Sequence, residues 1–167
     1  LAHHTLWNHD MRRIIKIIVF ISSLMTVSPL IFFSKIEEYF TSKEEVFQTL
    51  GHFLSLFPGK IGSYLRSSYY WGTLSKSDWE TYIGFGSYFT HRNASMGKKT
   101  SIGAYCIIGS AHMKENVLLG SRISILSGKY HHIDKEGKLS HESVRLETVR
   151  IGRGSWIGDA AVIMADL

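Results

Sequence analysis

Residues 151–166 read IGRGSWIGDAAVIMAD, with Ile151, Ile157 and Ile163 six residues apart and a glycine directly after the first two. The same phrase recurs upstream. Aliphatic–glycine pairs stand at Ile83-Gly84, Met96-Gly97, Ile102-Gly103, Ile108-Gly109 and Leu119-Gly120, and the step of six links 96, 102 and 108, then 119 and 125. Four places after the aliphatic residue the side chain is usually small, as at Ser87, Thr100, Cys106, Ser155 and Ala161; His112 and Ile123 break this rule. Such internal repetition fixes architecture before local propensity is argued. Six is the wrong period for a helix. A β-sandwich would alternate with period two and turn about every eight to twelve residues.

A chain with this period can wind as a triangular prism. Each six-residue side gives a short strand and a corner, three sides complete a coil, and coils stack through parallel strand pairing. The aliphatic residue points inward, and the residue four places on is small because the interior is narrow. The glycine lets the backbone turn without a Cβ clash. No coil buries its apolar face alone, so stability comes from stacking.

The segment 151–166 resembles the late-coil segment of hexapeptide-repeat O-acetyltransferases, among them maltose, galactoside, serine, xenobiotic and polysaccharide-modifying enzymes. The resemblance covers roughly residues 83–167. The lead-in, from LFPGKIGSYLR at 56–66 to TYIGFGSYFTH at 81–91, resembles the helical entry of membrane-associated members that act on sugars of surface polysaccharides. The resemblance implies a mainly β fold, a left-handed parallel β-helix preceded by N-terminal α-helices. It also implies transfer of an acetyl group from acetyl-CoA to a hydroxyl, of a sugar in polysaccharide or glycolipid synthesis, by a homotrimer with no metal.

The rhythm is interrupted at length once, between Ile125 and Ile151, by LSGKYHHIDKEGKLSHESVRLETVR. This segment is too polar for the prism interior and must loop out. In the resembled family a histidine here is the general base, and imidazole suits that role because it titrates near working pH. His131 with Asp134 resembles the His-Pro-x-Asp form of the sugar acetyltransferases, with His132 where they carry proline. His132 fits the Ser-Gly-x-x-x-His form of membrane-attached members, here Ser127 to His132. Both stay candidates, His132 taken first, with Asp134 or Glu142 to orient the ring. The resemblance assigns the acetyl-CoA contacts to Trp156, Gly158, Asp159 and Ala160, through backbone atoms more than side chains. Trp156 also reads as an ordinary packing residue, and Cys106 as core rather than nucleophile. His91 and His112 raise a rival, a γ-class carbonic anhydrase with three histidines on zinc, but the required His-x4-His pair is missing because His141 follows His132 at the wrong spacing.

Upstream, residues 14–33 (IIKIIVFISSLMTVSPLIFF) are apolar and just long enough to span a bilayer of about 20 residues. Pro29 is expected to kink or end this helix. Val46, Phe47, Leu50, Phe53, Leu54 and Phe57 form a helical stripe, Pro58-Gly59 breaks it, and Ile61, Leu65 and Tyr69 resume it beside Lys60 and Arg66. The pair reads either as a membrane-interface helix–break–helix or as packing against the β-domain. Arg12, Arg13 and Lys16 place the N-terminus in the cytoplasm by the positive-inside rule. One full crossing would then carry the β-domain away from acetyl-CoA. The enzyme reading therefore expects that residues 14–33 do not cross, as a re-entrant anchor, or that a second segment returns, with the β-domain at the cytoplasmic face of the bacterial inner membrane.

The net charge of +5 beside apolar helices fits an anionic membrane surface. With no basic face interleaved with aromatics, no nucleic-acid partner is expected. The single cysteine excludes an internal disulfide framework. Met11-Arg12-Arg13 marks an expected start, so residues 1–10 are set aside, 11–80 read as the helical region and 81–167 as the β-helix. The repeat stops at Leu167 in mid-phrase, so this domain is expected to be incomplete. The alternative to the enzyme is therefore a non-catalytic scaffold or an inactive fragment.

Overall fold

The computed structural model describes the backbone of residues 2–127 and 147–165, and side chains from residue 10 onward. Among the described residues three helices come first: α1 (Ala2–Phe40), α2 (Glu45–Ser55) and α3 (Gly59–Thr73). Twelve strands of two or three residues follow: β1 (Lys76–Ser77), β2 (Tyr82–Ile83), β3 (Tyr88–Phe89), β4 (Ser95–Met96), β5 (Ser101–Ile102), β6 (Ile107–Ile108), β7 (Ala111–Met113), β8 (Leu118–Leu119), β9 (Ser124–Leu126), β10 (Val149–Ile151), β11 (Trp156–Ile157) and β12 (Val162–Met164). They form three parallel sheets, ordered β1-β4-β7-β10, β2-β5-β8-β11 and β3-β6-β9-β12. Every third strand is thus a neighbour, the topology of a coil stacked on itself. The description "mainly β" needs correcting: helices of 39, 11 and 15 residues outweigh the short strands. The first strand also precedes residue 81, and α1 runs through residues 2–10 of those set aside.

The inward column runs Ile83, Phe89, Met96, Ile102, Ile108, Met113, Leu119, Ile125 and Ile151, all buried. From sheet one to sheet two the step is six every time, and so it is from sheet two to sheet three (Met96 to Ile102 to Ile108, Met113 to Leu119 to Ile125). Only the corner from sheet three back to sheet one departs. It is one residue long between Phe89 and Met96, one short between Ile108 and Met113, and holds the whole insertion between Ile125 and Ile151.

This explains why His112 broke the small-residue rule. The narrow inward place lies two before the next aliphatic residue, and after the shortened corner it falls to Ala111, leaving His112 exposed. Ile123 does occupy its narrow place and is fully buried there. Cys106 does likewise, with its sulfur 3.2 Å from Gly120 O, and burial pushes the thiol above its ordinary range.

The glycines after the aliphatic residues do a different job from the one expected. Turning falls to other positions in the left-handed region, such as Tyr105 (φ 57) and Ala160 (φ 60). The glycines make room for the next coil. A Cβ on Gly84 would lie 2.4 Å from Gly103 O, and one on Gly103 2.3 Å from Gly120 O.

Of the two readings of α2 and α3, packing against the β-domain is seen. They close the open edge of the first coil, where strand groups would otherwise lack partners. Phe89 N donates to the Tyr70 hydroxyl (3.1 Å), Ile83 N to Ser63 Oγ (3.3 Å) and Gly86 N to Ser55 O (2.9 Å). The fully buried Arg66 donates from Nε to Ile83 O (3.0 Å) and from a terminal nitrogen to Leu54 O (3.1 Å), Ser55 O (3.4 Å) and Phe57 O (2.7 Å). One guanidinium thereby satisfies both the end of α2 and the edge of the prism.

Helix α1 lies on α3 along a face of Phe20, Ser23, Val27, Ser34 and Glu37. Pro29 does not end it. Proline leaves the carbonyl four residues earlier without its donor, and the Ser28 hydroxyl supplies that bond to Met25 O at 2.8 Å. At its far end Glu37 accepts from the N–H groups of Val46 (2.7 Å) and Phe47 (3.1 Å), capping α2 from another helix, and pairs with Arg92. Beside it Glu44 accepts from Arg92 N (2.8 Å) and bonds His91 Nδ1 (2.7 Å). Burial works to raise the Glu44 carboxyl, but these hydrogen bonds and the nearby cations outweigh it and hold it below its ordinary value. A depressed carboxylate stabilises the fold above its unfolded pKa, and the contribution fades as pH falls through the folded one. Glu44→Gln is expected to cost about 1 kcal/mol at pH 7, with the gap to wild type closing below about pH 4, as read by thermal unfolding across pH.

Candidate active site

The irregular corner builds a polar column, one residue per coil. Asn93 Nδ2 donates to Ser110 Oγ (2.8 Å), which shares a hydrogen bond with Thr148 Oγ1 (2.8 Å). Ser127 is buried on the same corner, and Glu147 N donates to Ser127 O at 2.7 Å. Val149 N then donates to Ser110 O (3.0 Å). The chain therefore leaves and re-enters the stack at one pinned point. His131, His132, Asp134, His141 and Glu142, between these two ends, lie outside the described residues.

Trp156, Gly158, Asp159 and Ala160 sit on β11 and the corner after it. Trp156 points outward beside Leu118 and is 76% exposed, so within the described residues it is not a packing residue. Asp159 and Ala160 are engaged with the coil below: the Asp159 carboxylate accepts from Ser121 N (2.8 Å), and Ala160 N donates to Ser121 O (2.9 Å). Gly120 is glycine for this reason, since a Cβ there would stand 2.2 Å from Asp159 Oδ1. At Gly158 a Cβ would meet no atom within 4 Å.

The pinned loop root and the Gly158–Ala160 corner do not converge. They flank opposite edges of the third sheet, with the outward residues Ser124, Leu126, Val162 and Met164 between them.

Sequence reasoning missed a row on the first sheet. Register aligns Lys76, Ser95, His112 and Arg150 on its outer face, lining a cleft of about 950 Å³ with Lys114, Glu115 and Arg153. The signal was present one place before Met96, Met113 and Ile151, but Lys76 precedes a serine and the two off-length corners shift the phase. His112 Nε2 lies 3.0 Å from Asn93 O, which makes that nitrogen the protonated one. Because Thr148 leads into β10, this basic cleft adjoins the loop root.

Among the described residues no three His, Cys, Asp or Glu side chains converge. The zinc reading would need His91, whose ring is tied to Glu44 instead.

No family model, curated protein or solved structure matches the chain.

Proposed function

We propose that this chain is an O-acyltransferase whose prism winds left-handed and which moves an acetyl group from acetyl-CoA to a hydroxyl. The acceptor is a sugar of polysaccharide or glycolipid synthesis, the working form a homotrimer, and the place the cytoplasmic face of the bacterial inner membrane. What carries the reading is the long insertion, which holds His131 and His132 and is pinned by the Glu147–Ser127 bond to a polar column beside a basic cleft. Such a root aims a segment without constraining its content.

One of the two histidines takes the proton of the acceptor hydroxyl as its oxygen attacks the thioester carbonyl. The tetrahedral intermediate collapses, the C–S bond breaks, and the imidazolium returns the proton to the departing thiolate. No covalent enzyme intermediate forms. Asp134 or Glu142 holds the ring, and Lys76, Lys114, Arg150 and Arg153 suit the phosphates of the donor.

The test is thiol release from acetyl-CoA with nucleotide sugars and lipid-linked glycans as acceptors. Changing both His131 and His132 to alanine is expected to lower the rate by about 10² to 10⁴ with stability unchanged. An unaltered rate overturns the mechanism. The second reading, a scaffold, is favoured by the Asp159 and Ala160 bonds to Ser121, which commit two proposed donor contacts to holding coils together. No thiol release with any acceptor selects it.

A further inference from the structure

Helix α1 has an inner stripe that mixes Phe20 and Val27 with Ser23, Ser34 and Glu37, and an outer stripe that is apolar. The inner one rests on α3 and the prism corner. The outer one, including Ile14, Ile18, Ile21, Met25, Phe32 and Ile36, is exposed, Met25 to 72%. A helix with apolar residues on both faces is buried on both, in protein or in lipid. Residues Asp10–Phe40 are long and apolar enough to cross a bilayer. Crossing would, however, conflict with the inner stripe, which is covered by protein from Phe20 to Glu37, about 25 Å of helix. It would draw the Glu37–Arg92 pair and the first coil into hydrocarbon, at high cost. Lying in the interface, with the outer stripe down, avoids both. Around the α2–α3 break, Phe53, Leu56, Phe57 and Ile61 add a second exposed apolar group.

At the border of this surface is a cavity of about 490 Å³ between α1, α3 and the first two coils. Its lining includes Lys16, Lys60, Lys99, Tyr64, Trp79 and Tyr82. Lys16 is flanked in the chain by exposed Ile15 and Ile17, and Lys60 by exposed Ile61. The acidic side chain in the lining, Glu80, is tied to Lys98 at 3.1 Å. None of the three lysines pairs with a carboxylate among the described residues. A wall of three ammonium groups and three aromatic rings beside a lipid-facing stripe matches a phosphate whose tail stays in the bilayer.

We propose that α1 lies in the membrane plane and that this cavity takes the phosphate headgroup of an anionic lipid held in that bilayer. The proposal rests on the membrane part of the reading above and is independent of acetyl transfer.

The test is flotation of the full chain with vesicles of phosphatidylcholine alone and with added phosphatidylglycerol. Wild type is expected to float with both and more tightly with the second. The variant Lys16→Gln/Lys60→Gln/Lys99→Asn should bind the anionic vesicles about 100-fold more weakly, at about fivefold per lysine, and the neutral ones unchanged. Asparagine is chosen at 99 because the site has φ 59, which it tolerates. Phe53→Ser/Ile61→Ser, at exposed positions, should weaken binding to both vesicles. Equal losses on both vesicle types in the lysine variant overturn the phosphate site. So does binding of soluble glycerol phosphate as tight as that of vesicles. Flotation with neither vesicle, or self-association through α1 that lipid does not relieve, overturns the in-plane anchor; thiol release assayed on the same preparation reports separately on the acyltransferase reading.

Discussion

Replacing Gly103 by alanine is expected to destabilise the protein by more than about 4 kcal/mol, although alanine is the smallest possible change. The new Cβ would lie 2.3 Å from Gly120 O and 2.5 Å from its carbon, both backbone atoms. Neither can swing aside as a side chain would. The next coil is held there by Gly103 N donating to Leu119 O at 2.9 Å, so relief means breaking the pairing of β5 with β8. Gly158→Ala supplies the control. It has the same place in the repeat, with nothing within 4 Å of the added methyl, and its cost should be under about 0.5 kcal/mol. Denaturant unfolding of the two variants decides the point. Similar costs would show that the close approach of coils is not what the glycines serve.

Arg66→Met should be nearly as damaging, and for the opposite chemical reason. The methionine fills the volume but donates nothing. It strands Ile83 O at the prism edge and Phe57 O just beyond α2, while Leu54 O and Ser55 O keep the amides of Phe57 (3.3 Å) and Gly86 (2.9 Å). A buried acceptor left unpaired costs about 1–3 kcal/mol, so the expected loss for the two is about 2–6 kcal/mol. Arg66→Lys recovers only part, because one ammonium cannot span two elements with a planar fork. Hydrogen exchange should show α2 and the first coil opening together in Arg66→Met. If α2 alone frays, the side chain is a helix cap and no more.

The inward column was legible because an aliphatic residue every six places has few other uses. The helical stripe of Phe47, Leu50 and Leu54 was legible for the same reason. What stayed hidden were residues whose role depends on a partner far along the chain. Glu37 reads as the polar end of an apolar run, yet its carboxylate caps another helix. Arg66 reads as a charge beside a stripe, yet it is fully buried. Pro29 reads as a stop, and a neighbouring hydroxyl removes the penalty. In the candidate site, the pinned ends of the insertion could be located from the broken rhythm. The row of Lys76, Ser95, His112 and Arg150 could not, because corners one residue long and one residue short shift its phase twice.

Those uneven corners have a wider consequence. Two edges of the prism keep strict count, so the phase of every coil is set by them, and the third edge is released from counting. Length added there is absorbed before β10 begins, because Val149 and Thr148 re-engage Ser110 wherever the intervening chain has been. The fold therefore carries an address at which segments of different size are interchangeable parts. New chemistry can be spliced into it while the load-carrying stack stays in register.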